Sequence, residues 1–397
     1  VKRAVIQRVT IYPLRIPLRS RVEHAAAERT HADPVIVCIE CQGGVIGYGE
    51  SVARPYVTGE TADSVVEAIE QVFTPALLDF HPTNFPEALS FIDNLVFHDT
   101  RGQRVSSARG AVELALLDAT MQCFHRSIED VVQWMGLPGF GSPGSLGRVR
   151  YSGVLATSNL DRLTRQLRKM YWGGLRCFKL KVGFPDDQLR LDTVVAYLRS
   201  PLAKGRARLR VDANSLWGEK ALGEAMAWLG KYPIEAIEQP VARGQESLLI
   251  PFRSSGKMPI VHDESLIDME DAMRLISLGI ADHFNVRISK CGGFMPSLRL
   301  AALARREGVG IQLGCMVGET SLLSAAGMSF LGCCPDVKWA EGCYGRRLLR
   351  EDIVANSLKF GFGGCPPKHR LGLTENRPLV SRLEEYCHDD GMVVMPL

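Results

Sequence analysis

Five side chains are spaced so that together they could do chemistry. Asp212, Glu238 and Asp263 each close a short β-like run, 26 and 25 residues apart (238−212 and 263−238). Lys179 and Lys181 close a similar run, CFKLKVG. Three acids converging on one point cannot all stay ionised without a cation. Three carboxylates with open coordination positions suit a hard divalent ion, and Mg2+ usually keeps places for water or substrate oxygens. Mn2+ accepts the same donors. A carboxylate substrate would fill those places. Lys181, beside the cationic Lys179, is expected to act as a neutral base near pH 7. The metal would stabilise the charge that develops as the α-proton leaves. Taken singly, Asp212 and Glu238 read equally well as strand-end caps and Lys179 as a surface lysine. The set at these spacings favours chemistry.

The spacing also identifies the scaffold. One strand, one helix and two loops take about this many residues, and a barrel of such units brings strand-end side chains to one rim. From about residue 149 short strands alternate with amphipathic helices. The strand candidates are VRYSGVLA, CFKLKVG, RLRVDAN, EAIEQP, PIVHDES, HFNVRIS, GIQLGC and DVKWAEG. Between them, NLDRLTRQLRKMY places Leu160, Leu163, Leu167 and Met170 on one face, and DMEDAMRLISLG places Met269, Ala272, Met273 and Ile276. Eight units predict a (β/α)8 TIM barrel over 149–344. A doubly wound sheet would need a glycine-rich turn after its first strand, and none is there. The strand ends then supply Lys179, Lys181, Asp212, Glu238, Asp263, Arg287 and Glu341.

Ahead of the barrel, residues 1–135 read as strands (VIQRVTIYPLRI, PVIVCIECQGG, VIGYGES) followed by helices (ADSVVEAIEQVF, FPEALSFIDNLVF, SARGAVELALLDATMQCF), an α+β unit. Residues 136–148 form a loop-like connection. Its Gly139, Gly141 and Gly144 have GxGxxG spacing but follow a helix and run into a strand, the reverse of a dinucleotide fingerprint. The irregular tail, 345–397, is expected to pack on the first unit.

Composition narrows the function classes. A net charge of +3 on 397 residues gives no electrostatic case for nucleic acid, and no apolar run is long enough to span a bilayer. The amino terminus lacks a signal peptide's unbroken apolar segment. Eleven cysteines, mostly in apolar surroundings, suit reduced thiols in a cytoplasmic enzyme. Cys38 and Cys41 form one CxxC, but residues three apart on a strand face opposite ways and make a poor chelate.

With FKLKVG, RVDAN, IEQP, HDES, SKCGG and LLREDIVANSLKFGFGG in view, nearly the whole chain resembles the enolase superfamily, in particular its muconate lactonizing enzyme subgroup. The resemblance implies an α+β domain capping the barrel, Mg2+ on Asp212, Glu238 and Asp263, Lys181 as the α-proton base and Lys179 as its pKa-lowering partner. It implies a small carboxylate substrate and a homo-oligomer. It also makes the stretches near Arg19–His24 and Val52–Glu60 the loops that set specificity.

One departure matters. Members of this family usually carry a second catalytic lysine at the end of the sixth barrel strand, 24 residues beyond Asp263, and that position is Arg287. Lys290 lies three residues on and is the alternative occupant. Arginine stays protonated and is a poor resting base. Racemisation and epimerisation need proton donors and acceptors on both faces, whereas elimination needs one base and an acid for the leaving group. Arg287 therefore tilts the expectation toward a dehydratase or a cycloisomerase. Epimerisation of an amino-acid derivative or a hydroxy acid is the alternative, and a barrel that binds metal or carboxylate without turnover is a third. The eighth strand ends WAEGCYG, without the Asp-x-Asp of dipeptide epimerases, and the seventh, LGCMVGET, lacks the base histidine of mandelate racemases.

Further candidates are Arg54, Tyr56, Glu319 and Glu341 for substrate contact. Asn214 and Glu264 are expected to support the metal ligands and Lys181. His262 should point away from Asp263 by alternation and pack internally.

Overall fold

The computed structural model describes residues 4–24, 27–141, 149–254, 258–367, 376–388 and 391–397. Five strands open the chain: β1 (Ile6–Pro13), β2 (Ile16–His24), β3 (Ala27–Ala32), β4 (Val35–Cys41) and β5 (Val45–Ser51). β1, β4 and β5 form an antiparallel sheet whose β1 edge is taken by the last strand of the chain. The helix Ser106–Phe124 lies on this sheet and is buried almost all round, so its apolar pattern is not confined to one stripe. Its approach is close because β5 offers glycine. A Cβ at Gly47 or Gly49 would collide with the carbonyls of Ala115 or Ala111. Cys38 and Cys41 belong to two different apolar clusters, on opposite faces of β4.

Eight parallel strands follow in sheet order: β6 (Gly153–Leu155), β7 (Cys177–Lys181), β8 (Arg208–Asp212), β9 (Ile237–Glu238), β10 (Ile260–His262), β11 (His283–Val286), β12 (Gly310–Leu313) and β13 (Val337–Ala340). A parallel bridge from Tyr151 to Ala340 brings the first and last strands together and closes the barrel. Each strand lies inside one of the eight sequence runs. The helix Leu160–Trp172 buries Leu163 and Leu167, as its periodicity requires. In Met269–Ser277 the buried face centres on Ala272 and Leu275. Met273, expected on the inner face, is exposed.

Two expectations need correction. The stretch near Arg19–His24 is not a loop but part of the β2–β3 hairpin, and the side chains of 22–24 lie outside the described residues. The tail is not wholly irregular: it contains a helix, Val380–Tyr386, and β14 (Val393–Pro396), which pairs antiparallel with β1. Most of the connection at 136–148 lies outside the described residues. Among the described residues no helix is long and apolar enough to cross a membrane.

The α+β domain is fastened to the barrel by buried polar contacts. Glu113 accepts from the backbone N–H groups of Phe294 (3.0 Å) and Met295 (2.8 Å), capping the helix that follows β11. Glu50 accepts from Thr320 and Leu323 at the start of the helix that follows β12. Each satisfies N–H groups that a helix cannot satisfy itself. Val52 donates to Ser289 Oγ (3.0 Å), and Arg109 donates to the carbonyl of Gly292.

Candidate active site

Strand alternation builds the site. On β7, residues 177, 179 and 181 share a face, and so do 208, 210 and 212 on β8. The parallel register sets Lys181 beside Asp212 and Asp212 beside Glu238. The carboxyl ends of these strands open into a cavity of about 1000 Å3 lined by Lys179, Lys181, Asp212, Asn214, Glu264, Arg287 and Glu341 among others.

Lys179 is the hub. Its Nζ donates to both oxygens of Glu238 (3.0 and 3.1 Å) and lies 2.7 Å from Glu341 Oε2 and 3.3 Å from Asp212 Oδ2. Burial alone would lower its pKa, but Glu238, Glu341 and Asp212 outweigh that and hold it well above the usual lysine range. Its charge is thus spent on carboxylates rather than directed at Lys181. Lys181, partly exposed to the cavity, donates to Asn214 Oδ1 at 2.7 Å and lies 3.6 Å from Asp212 Oδ2. Asn214 adopts φ +45°, a left-handed conformation that asparagine tolerates better than most residues.

The far side of the rim differs. β11 sits four strands from β7 in the eight-stranded order, and therefore across the barrel. Arg287, just past its end, lines the cavity, pairs with Asp263 Oδ2 and comes within 4.0 Å of Glu238 Oε1. Lys290 does not reach the cavity. It is fully buried, and its Nζ is fixed by the carbonyls of Asp263 (2.6 Å) and Asn285 (2.8 Å) and by Asp263 Oδ1 (2.9 Å). Burial pushes it down to about 8. The reading that gave Lys290 a place on the substrate face is corrected accordingly.

The donor set fits a hard divalent cation in chemical type. Asp212 Oδ2 and Glu264 Oε2 are buried and make no hydrogen bond among the described residues. Burial first, then the charge of Asp212, raises Glu264 to about 7, and an added cation would relieve that repulsion. For Asp212, burial is outweighed by Lys179, Lys181 and Arg287, which hold it at about 2 and ionised. Among the described residues, however, no three acidic, histidine or cysteine side chains are already drawn together as a ligand group. Glu238 is occupied by Lys179, Asn285 and Gln312, and Asp263 by Arg287 and Lys290.

The remaining candidates divide. Tyr56 is exposed at the cavity; Arg54 also lines it but is buried and donates to the carbonyls of Ala53 (2.8 Å) and Val317 (2.7 Å). Glu341 lines the cavity with its two oxygens on Lys179 and Arg210. Glu319 does not line it. It accepts from Ser324 (3.0 Å) and Met316 N–H (3.2 Å) beside a small internal void, and burial raises it to about 8. Its expected place at the mouth is therefore corrected. His262 is buried with Nε2 3.0 Å from the Ile280 carbonyl, and burial lowers it to about 4.

Four supporting residues escaped the sequence reading. Arg210 bridges Glu341 (3.1 Å) and Gln312, while Asn285 and Gln312 each donate to Glu238 at 3.0 Å. Gln239, at φ +36°, accepts from the N–H groups of Asp263 (2.9 Å) and Ser265 (3.1 Å), tying two strand ends together. Alternation would have found three of them: Arg210 and Asn285 stand two residues before Asp212 and Arg287, and Gln312 two before Gly314.

Comparison with known proteins identifies the family and fold. Residues 6–132 match the mandelate racemase/muconate lactonizing enzyme N-terminal domain, and residues 162–374 match the enolase C-terminal domain-like family. The chain is 29% identical to N-succinyl-L-Arg/Lys racemase of Bacillus cereus over 325 residues, 81% of this chain and 82% of that one. It is 30% identical to muconate cycloisomerase 1 of Pseudomonas putida over 369 residues, 88% and 89% of the two chains. The crystal structure of the Bacillus cereus racemase superposes with a TM-score of 0.81 at 25% identity, covering 98% of this chain and 99% of that one.

Proposed function

Because the chain belongs to the mandelate racemase/muconate lactonizing enzyme family of the enolase superfamily, we propose that it removes the α-proton of a small carboxylic acid with Lys181 and completes the reaction by elimination or cycloisomerisation. Family membership supports the first half, since proton abstraction next to a carboxylate is common to these enzymes. The superfamily generally uses Mg2+, and Asp212, Glu238 and Asp263 would hold it here. Mg2+ in that place would stabilise negative charge on the substrate carboxylate.

The chain's own residues then have distinct tasks. Lys181 presents its amine to the cavity with Asn214 fixing its direction. Lys179 holds Asp212, Glu238 and Glu341 in register without facing the α-carbon itself. Arg287 faces the substrate from across the barrel as a permanent cation, suited to hold an anion and unsuited to hand a proton back and forth.

The observation that carries the reading is the placement of Arg287 in the cavity with Lys290 buried behind Asp263. Racemases among the relatives favour the second reading, epimerisation. The two separate in one experiment. A panel of chiral hydroxy acids, amino-acid derivatives and unsaturated diacids is incubated with the protein and Mg2+ in deuterium oxide and followed by proton NMR. Exchange at the α-carbon that needs Lys181, with an eliminated or cyclised product, is expected. Interconversion of enantiomers with no other product would replace this reading by epimerisation. No exchange with any acid of the panel would leave a binding barrel.

A further inference from the structure

The amino-terminal end of the barrel, opposite the cavity, holds a second cluster of titratable side chains. Inward alternation on β8, β11 and β13 stacks side chains in layers. The lowest layer includes Arg208, His283 and Trp339, two residues below Arg210, Asn285 and Glu341. Trp339 is almost fully buried, and its indole N–H donates to Glu235 Oε2 at 3.2 Å. Glu235 also pairs with Arg208 at 2.7 Å. Gly310 stands opposite His283 in the β11–β12 register, and a Cβ there would strike the imidazole. The ring fills the room that this glycine leaves, with its centroid 4.8 Å from that of Trp339.

Lys338 meets this layer from the neighbouring position on β13. It is an exposed residue, yet its Nζ lies 3.2 Å from His283 Nε2 and 4.3 Å from the centre of the Trp339 ring. The guanidinium groups of Arg210 and Arg208 lie 4.6 and 5.7 Å from the same ring. Three cationic side chains thus share one indole. Among the described residues, Lys338 is faced by His283, Arg208 and Arg210 and by the carboxylates Glu235 and Asp282. Both carboxylates are engaged elsewhere, Glu235 as above and Asp282 by Arg253 (2.6 Å) and the Ile260 N–H (3.0 Å). Burial, aided by Arg208 and Arg210 and opposed by Glu235 and Asp282, lowers the Lys338 pKa from the ordinary lysine value.

The imidazole gives a second, separate indication. His283 is buried, and its Nδ1 has no hydrogen-bond partner among the described residues. Burial first, then the cations around it, push it down to about 3, so the ring is neutral and carries one N–H. A hydrogen on Nδ1 would be a buried donor without an acceptor. A hydrogen on Nε2 leaves only a lone pair unpartnered, which proteins tolerate better than an orphaned N–H. That second arrangement makes Lys338 the acceptor, and only an unprotonated amine can accept.

We propose that Lys338 is a nucleophilic amine and a site of acylation by small activated acyl groups, acyl phosphates or acyl thioesters. Being exposed, its Nζ can turn from the imidazole to meet the acyl group. The nitrogen lone pair attacks the carbonyl carbon and a C–N bond forms. The bond from that carbon to the phosphate oxygen or thioester sulfur breaks, and its electron pair leaves with the phosphate or thiolate. The proton displaced from nitrogen ends on that leaving group. The resulting amide is uncharged, which removes one of the three cations around Trp339. His283 is a positioning residue: its N–H favours the unprotonated amine and forms no bond to the acyl group.

Competitive labelling of the intact protein tests this. Acetyl phosphate and, separately, acetyl-coenzyme A are added over a pH series, and initial acetylation at each lysine is read by peptide mass spectrometry. At pH 7.5 Lys338 is expected to react about tenfold faster than the exposed Lys220 and Lys231. That lead should shrink by pH 10, as ordinary lysines lose their protons. A lysine that is merely more accessible would keep its lead at every pH. His283→Phe, which keeps a ring and loses the N–H, should bring the ratio at pH 7.5 toward one. Arg208→Gln, at a partly exposed position, should lower it in the same direction and serves if the first variant does not fold. A lead seen with one reagent alone assigns the donor as phosphate or thioester, and a lead with both assigns either. Equal rates at pH 7.5, a lead constant with pH, or a lead untouched in variants of unchanged circular dichroism overturns the proposal.

Discussion

The two sides of the barrel mouth are built on different terms. On the β7 side Lys181 is free to face the cavity and meets one amide and, more distantly, one carboxylate. On the β11 side Arg287 lies on Asp263, Lys290 is fully buried, and the following helix is capped by Glu113 of the other domain. One side is suited to exchange a proton, the other to hold fixed charge in a fixed place. Under the proposed function, a reaction that needs both sides to exchange protons would be poorly served by this pair. One that needs a base and an anchored anion is well served.

The difference can be broken most severely from the β7 side. Lys181→Ala should lower α-proton exchange by about 10^2 to 10^4-fold, the usual contribution of a general base, while far-ultraviolet circular dichroism stays unchanged. A residual rate close to wild type would move the base elsewhere.

The next largest effect falls on the β11 side and appears in stability. Lys290→Met strips a fully buried carboxylate of one partner and should cost about 3 kcal/mol, the lower end for breaking a buried ion pair. Urea unfolding measures it. A loss below about 1 kcal/mol would mean that Arg287 alone satisfies Asp263.

Arg287 sharpens the contrast at lower amplitude. Since its guanidinium competes for Asp263, Arg287→Ala should bind Mn2+ about tenfold more tightly, about 1.4 kcal/mol, as read by electron paramagnetic resonance. Arg287→Lys restores a titratable amine opposite Lys181 and should gain enantiomer interconversion. Unchanged Mn2+ affinity and unchanged stereochemistry would together deny Arg287 any special part.

The last effect concerns the anchor and shows only as a dependence on pH. Burial raises Glu113 from 4.5 to about 7, so the folded chain binds a proton that the unfolded chain releases. That contribution to stability is fully present below pH 4.5 and is lost as pH rises through about 7. Glu113→Gln should therefore flatten the fall in stability over this window by up to about 1.4 kcal/mol per pH unit, measured by thermal unfolding in a pH series. A steeper fall in the variant would reverse the sign and refute the assignment.

The strand ends were readable because a βα barrel repeats them at near-constant spacing and exposes them on one rim. Asp212, Glu238 and Asp263 needed only that rule. The inner rung of Arg210, Asn285 and Gln312 was hidden because charged and amide residues inside a strand look like solvent-facing positions until the strand is known to close on itself. Glu319 illustrates the opposite error. Its place after β12 suggested the mouth, but hydrogen bonds from Met316 and Ser324 turn it inward, a local choice that no periodicity records. The β2–β3 hairpin was missed because RSRVEH lacks the apolar alternation of a half-buried strand, and its partner strand satisfies the backbone instead.

The pairing of β14 with β1 gives this chain a particular folding order. Residues 393–396 complete the sheet that residues 6–13 begin, with the entire barrel between them. That contact spans nearly the whole sequence, so its loop-closure entropy is large and it must form late. During synthesis the β1 edge stays unpaired until the barrel has been made, which leaves an open strand edge available to other chains. Among the described strand pairings this one is expected to close last, and it belongs to the sheet of the α+β domain rather than to the barrel rim.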